Sequence, residues 1–296
     1  MTRLEAWSVD GIGEIAAGDD LARIVGDAIA PHAPAAGDVV VVTSKVVSKA
    51  EGRMRHAADR EEAITEETVR IVASRAHPGG VTRIVQDRNG FVMAAAGVDA
   101  SNTPEGTILL LPVDPDGSAL ALASALRERF GVPLGVVVSD TFGRPWRAGQ
   151  TDVAIGAAGI RVIEPLAGSV DTHGRPLVVS APALADEIAS TAELVAGKTS
   201  GRPVTMVRGL ARHVTALDEP GARRLVRDAD SDMFRLGSAE AHAEGFAEGR
   251  AAGYAEGLAA GRAERDARHD RDTTIRAAVG TESPQDGVPD SARGVR

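Results

Sequence analysis

Two short apolar runs constrain this chain most: Asp38-Val-Val-Val-Val-Thr43 and Leu134-Gly-Val-Val-Val138. Adjacent β-branched residues are stiff at χ1 and crowd a helix, whereas a pleated strand accommodates them. Runs this short and this apolar read as buried strands. Val81 to Val85, Thr107 to Leu111, Ile160 to Ile163, Leu177 to Val179 and Val204 to Val207 supply further strand candidates. Glu61 to Ala76, Gly117 to Phe130 and Ala183 to Ala196 carry apolar residues at helical spacing. Strands and helices alternate loosely, so the class is mixed, α/β or α+β.

The core must be aliphatic. Of 296 residues, 43% are hydrophobic but only 3% aromatic, so Val, Leu, Ile and Ala have to fill it. A formal net charge of −9 argues against nucleic acid as the main partner. With no cysteine, disulfides, thiolate metal sites and cysteine nucleophiles are excluded. The amino terminus lacks an apolar signal core, and no apolar run approaches the ~18 residues of a membrane span. A cytoplasmic protein with no membrane association is expected.

Residues 1–237 read as one globular body. Beyond Gly237 the composition changes. Gly245, Gly249, Gly253, Gly257 and Gly261 recur every four residues, with Ala and Glu between most of them. Glycines so spaced lie near one helix face and permit close backbone approach, yet each weakens a helix by roughly 1 kcal/mol relative to Ala. Residues 238–265 therefore read either as a helical arm that docks a protein partner or as a solvated low-complexity extension. Residues 266–296, charged and with Pro284 and Pro289, are expected to be disordered.

Polar residues gather after the apolar runs. Ser139-Asp-Thr-Phe-Gly-Arg-Pro-Trp-Arg147 follows Val138 directly, and Gln150 and Asp152 come next. The strand is expected to end in Asp140 and Thr141, because Gly143 and Pro145 break regular structure. Open sheets often place ligands at such strand ends. Asp140 and Thr141 offer oxygen ligands for a hard cation. Arg144 and Arg147 are catalytic candidates, since guanidinium forks clamp phosphate or carboxylate. Thr43-Ser-Lys-Val-Val-Ser-Lys49 reads as a phosphate grip or as a polar turn between strand and helix. Gly97-Val-Asp-Ala-Ser-Asn102 reads as a turn, favoured by its Asp, Ser and Asn, or as a metal and phosphate contact through Asp99 and Asn102. Ala192-Glu-Leu-Val-Ala-Gly-Lys-Thr199 imitates a phosphate-binding loop, but a helix precedes it where a strand is required. Gly197 is better explained as a helix C-cap, with Lys198 still able to reach a nucleotide. The seven histidines show no ligand spacing.

Taken in order, these pieces resemble the coenzyme F420-0:L-glutamate ligase family. Gly11-Ile-Gly-Glu-Ile15, Gly37 to Gly52, Ala96 to Asn102, Leu111 to Asp116, Ser139 to Arg147, Gly149 to Gly156, Ala185 to Ile188 and Pro203 to Gly209 carry the resemblance, which spans about residues 5–237. It implies a fold of neither P-loop nor ATP-grasp type and a GTP-dependent ligase: GTP phosphorylates a carboxylate of the deazaflavin precursor, and the amine of L-glutamate attacks the acyl phosphate. GDP and phosphate leave, and a second, γ-linked glutamate can follow. The family's metal ligands fall on Asp99, Asp140 and Thr141. Its nucleotide contacts fall on Ile12, Gly13, Glu14, Ile15, Ser44, Lys49 and Asn102, with the segment from Gly197 and Lys198 to Pro203 closing over the nucleotide. In relatives that segment supplies another metal ligand, which a charged Lys198 cannot do. The resemblance further implies Mg²⁺ or Mn²⁺, K⁺ as an activator, and a homodimer. Two alternatives stand beside this reading. One is a related amide ligase with another acceptor; the other is an inactive ligase-like interaction protein.

Overall fold

The structure, a computed structural model, describes residues 3–279, with backbone alone at 239 and 275–279. The body contains β1 (Glu5–Ser8), α1 (Leu21–Ile29), β2 (Val39–Thr43), α2 (Ser44–Ala50), β3 (Met54–His56), α3 (Arg60–Glu67), β4 (Thr68–His77) and β5 (Gly80–Asp87). It continues with β6 (Val92–Ala94), β7 (Thr107–Leu109), α4 (Pro115–Phe130), β8 (Gly135–Arg144), β9 (Arg147–Ala158), α5 (Leu184–Ala196) and β10 (Val204–Arg208). The class is mixed α and β, as the alternation of patterns predicts.

The five-stranded central sheet has the order β1-β10-β2-β8-β9. The valine runs lie side by side in it as the parallel pair β2–β8, with Val40 opposite Val136 and Val42 opposite Val138. Both runs are apolar at every position because both sheet faces are covered. Val40, Val42, Val136 and Val138 pack with Val25 and Ile29 of α1 and with Leu122 and Leu126 of α4. Val39, Val41 and Val137 turn the other way, onto Ala185, Ile188 and Ala189 of α5. Each fully buried Val contributes about 1.5–3 kcal/mol of hydrophobic stabilisation. At Gly156 any side chain would collide with the Pro115 carbonyl, so the start of α4 rests directly on β9. Smaller sheets, β3-β7 and β4-β5-β6, flank the main one.

Several elements differ from the sequence expectations. The helix expected over Glu61 to Ala76 ends at Glu67, and Thr68–His77 forms β4. The β-branched stretch Thr68-Val-Arg-Ile-Val72 finds a partner in β5, with Ile71 opposite Val85. Tertiary pairing overrides the weak helical pattern there. Thr43 ends β2, and the residues after it, Ser44–Ala50, form the helix α2 instead of a turn. Ile160 to Ile163 makes one isolated bridge, Ile160 to Val214, and Leu177 to Val179 lies in a loop. The strand after Leu134 does not stop at Thr141: β8 runs to Arg144 and forms a long hairpin with β9. Pro145 and Trp146 make the tight turn, Trp146 at a left-handed φ of 57°.

The chain divides into two units at Gly237 and Ser238. In the second, α6 (Ser238–Val279) carries all five periodic glycines and continues past residue 265, so 266–279 is helical where disorder is expected. Spacings of four between Glu264, Arg268 and Asp272 suit a solvated helix. The remainder of that expected tail, 280–296, lies outside the described residues. No helix among the described residues is long and apolar enough to cross a membrane.

Candidate active site

The parallel pairing of β2 with β8 sets Thr43 opposite Ser139 and brings the start of α2 beside the polar half of β8. A cavity of about 840 Å³ opens at this place. Ile12, Gly13, Glu14 and Ile15 line it from the loop after β1. Lys49 enters from α2, Asp99 and Asn102 from the segment between β6 and β7, and Asp140 and Thr141 from β8. Gly197 and Lys198 line it from the segment after α5. Ser44 stands behind the wall and donates from Oγ to Asp140 Oδ1 at 3.1 Å.

Arg144 and Arg147 do not join this group. They face each other across the hairpin end, both exposed, and Arg144 donates to the Ala148 carbonyl at 3.3 Å. The physical reason is the length of β8: the turn expected near the strand end lies beyond Arg144, so the guanidiniums are carried past the cavity.

The carboxylates in the wall differ in their surroundings. Asp140 is 9% exposed, and burial pushes its carboxyl up against the pull of the nearby Lys45 charge and of hydrogen bonds from the Thr141 backbone and Ser44. Burial also acts to raise Asp99, but hydrogen bonds from Lys45 and Ser101 outweigh it and hold the carboxyl at about 2. Lys45 Nζ lies 2.7 Å from Asp99 Oδ2. Burial acts to lower the Lys45 ammonium, yet its bond to Asp99 and the charges of Asp140 and Asp152 raise it. Asp152, on β9 opposite Thr141, accepts from Thr141 Oγ1 at 2.6 Å and from Ser139 Oγ at 3.2 Å. Lys49 is almost fully buried and reaches Glu14 Oε1 at 2.5 Å.

The loop carrying Asp99 and Asn102 is held in costly backbone conformations. Ala95, Ala96 and Asn102 have φ of 53°, 51° and 56°. Asn adopts the left-handed region readily, but an Ala there is disfavoured by roughly 1–2 kcal/mol. Reciprocal backbone bonds between Asp99 and Leu109, at 3.0 and 2.8 Å, tie the loop to β7. Such strain persists where surrounding structure over-determines it, commonly at functional sites.

Lys45 and Glu193 are the residues that sequence reasoning passed over as site members. Lys45 lies inside the Thr43–Lys49 motif, so proximity to Ser44 was the available signal. Glu193 is on α5, and nothing in its local pattern distinguishes it from a solvated helical residue.

Comparison with known proteins accords with this arrangement. A family model described as F420-0:Gamma-glutamyl ligase matches residues 11–209. A protein named coenzyme F420:L-glutamate ligase from Methanopyrus kandleri is 38% identical over 235 residues, covering 74% of this chain and 92% of the relative. Proteins of the same name from Natronomonas pharaonis and Archaeoglobus fulgidus are 39% and 36% identical, covering 78% and 79% of this chain and 95% and 97% of themselves. The matched span contains every cavity segment described above and ends before α6. The chain therefore belongs to the F420-0:gamma-glutamyl ligase family, ligases that form an amide bond.

Proposed function

We propose that this protein joins L-glutamate to the deazaflavin coenzyme F420 precursor in a GTP-dependent reaction through an acyl phosphate. The observation that carries this reading is the convergence of separate sequence segments on one cavity. The loop 12–15, α2, the loop at Asp99 and Asn102, the middle of β8 and the segment after α5 all supply its wall. Lys49 and Asn102 are the groups expected to meet the nucleotide. An acyl phosphate makes a carboxylate electrophilic, and positioning plus charge neutralisation are the main tasks of a phosphoryl-transfer site.

Asp99 and Asp140 are the residues assigned to Mg²⁺ or Mn²⁺; Thr141, the third ligand the resemblance implies, lies on the same wall, with its hydroxyl donating to Asp152 and accepting from Lys198. The donor set is all oxygen, which suits hard cations. Among the described residues no three acidic or histidine side chains converge as a complete metal cage. That fits Mg²⁺, which takes one or two carboxylates and leaves the rest of its shell to phosphates and water. When bound, the metal supplies charge neutralisation at the phosphates. Ser44 orients Asp140, and Ser101 orients Asp99 through its backbone N–H at 2.9 Å and its hydroxyl at 2.6 Å. A homodimer and activation by K⁺ belong to the same proposal.

The test is mass spectrometry after incubating the purified protein with precursor, L-glutamate, GTP and Mn²⁺. Product heavier by one or two glutamyl units is the expected result. No mass gain with GTP, together with a gain when ATP or another amine donor is supplied, would replace this reading with the related amide ligase.

A further inference from the structure

Lys198 lies where the cavity wall gathers oxygen atoms from three different elements. Its ammonium donates to Thr141 Oγ1 on β8 and to Asp152 Oδ1 on β9, the latter at 3.2 Å. It lies 3.8 Å from Glu193 Oε1 on α5. The Thr141 hydroxyl gives its own proton to Asp152, so its lone pairs are left for the lysine. Ser139 holds the second Asp152 oxygen, and Asp152 is only 5% exposed. Burial and the Asp152 charge both push the Glu193 carboxyl up.

Lys198 is half exposed, but the oxygens it meets come from three elements and one of them, on Asp152, is buried. One hydroxyl and two carboxylates converging on a single positive centre make the donor set of a hard cation. Here a cation carried by the chain fills that set. The local backbone is built to deliver it: α5 ends at Gly197, whose φ of 70° lies in the left-handed region, and Lys198 follows at once. A Cβ at Gly197 would meet nothing within 4 Å, so the torsion and not the space calls for glycine. Without the ammonium, Asp152 and Glu193 would keep the Lys45 charge but lose the cation in contact with them, a situation that draws in a cation or a proton.

With the metal-dependent ligase reading above as its premise, we propose that Lys198 is a built-in cation of the active site. Its ammonium takes the position formed by Thr141, Asp152 and Glu193, so this side of the cavity binds no metal ion. The divalent ion is confined to the Asp99–Asp140 side.

The experiment is Mn²⁺ binding to the full-length chain, without nucleotide or acceptor, followed by calorimetry and by electron paramagnetic resonance of the free ion. Lys198→Gln is expected to bind one more Mn²⁺ per chain than the wild type at saturation. Lys198→Arg, which keeps the charge, is expected to bind the same number as the wild type. An unchanged number in Lys198→Gln overturns the proposal, and so does a gain in Lys198→Arg. A lysine that only grips phosphate would weaken nucleotide binding and leave the Mn²⁺ number untouched, which also overturns it. Thermal melting of Lys198→Met gives a second reading should Lys198→Gln fold poorly: Mn²⁺ is expected to raise its Tm more than that of the wild type, and equal increments count against the built-in cation. Because neither measurement involves ligation, an extra Mn²⁺ in Lys198→Gln together with no glutamyl product from the wild type would remove the functional reading alone.

Discussion

The base and the tip of the β8–β9 hairpin share the same two strands, but their environments are opposite. At the base, Ser139, Asp140 and Asp152 are buried, and each hydroxyl or carboxylate there has a named partner. At the tip, Arg144 and Arg147 are exposed and Trp146 is 85% exposed, resting edge-on against Phe234 at 5.3 Å. Two unit charges 4 Å apart interact by about 1 kcal/mol in water and about 4 kcal/mol at the effective dielectric near a protein surface. Charges at the base therefore feel one another, whereas those at the tip are screened. Contiguity in sequence made Asp140 and Arg144 look like one site; enclosure separates them.

A second contrast reinforces the first. Asp99 is part-exposed, and hydrogen bonds from Lys45 and Ser101 hold it at about 2. Asp87 has backbone N–H donors and no cation, and burial pushes its carboxyl up to about 6. Deep burial without a cation raises one carboxyl; partial exposure with a lysine and a serine lowers the other.

Four experiments can break or sharpen the comparison. The largest effect is expected at the base: on the proposed reaction, Asp140→Asn should lower metal-dependent GTP turnover on the order of 10²- to 10³-fold, the scale of losing one charge-stabilising group. Near wild-type turnover in a folded variant would move the metal elsewhere.

Next comes Asp87. Its folded pKa lies above the usual carboxylate value, so the stabilisation it brings is complete below about 4 and is lost as pH rises through about 6. Asp87→Asn should remove this dependence. Relative to the variant, the wild type should lose on the order of 2 kcal/mol between pH 4 and pH 7, followed by denaturant unfolding across that range. Parallel pH profiles for the two proteins would mean that Asp87 is better solvated than its burial indicates.

Lys49→Met should raise the GTP concentration needed for half-saturation about 10-fold, equivalent to about 1.4 kcal/mol of binding. An effect confined to kcat would assign Lys49 to the chemical step. Least affected should be the paired tip variant, Arg144→Ala with Arg147→Ala, whose steady-state kinetics should stay within about 2-fold, since solvated surface changes are small. A loss of 10-fold or more would place the tip in the reacting assembly and erase the distinction between the two halves of the hairpin.

Much of the site was legible before any coordinates. Asp99, Asp140, Thr141, Lys49, Asn102 and the 12–15 loop all reach the cavity. What was not legible follows from pairing at long range. Thr68 to Val72 was assigned to a helix because its alternative, a strand, becomes favourable only once β5 lies beside it. The end of β8 was set too early because Gly143 and Pro145 do not reveal that β9 carries the ladder out to Arg144. Lys45 escaped notice because the Asp140 and Asp152 charges around it come from strands far away in the chain.

Sequence alone determined where strong local preferences lie: the valine runs as strands, Gly197 as the end of α5, and the polar segments that line the cavity. Those properties depend on near neighbours, through χ1 stiffness, left-handed glycine and capping. Only the tertiary structure decided which polar groups share one enclosure. The parallel contact of β2 with β8 and the hairpin with β9 bring Lys45, Asp140, Asp152 and Lys198 together. Burial then makes their charges act on one another, and neither effect can be read from any stretch of chain taken singly.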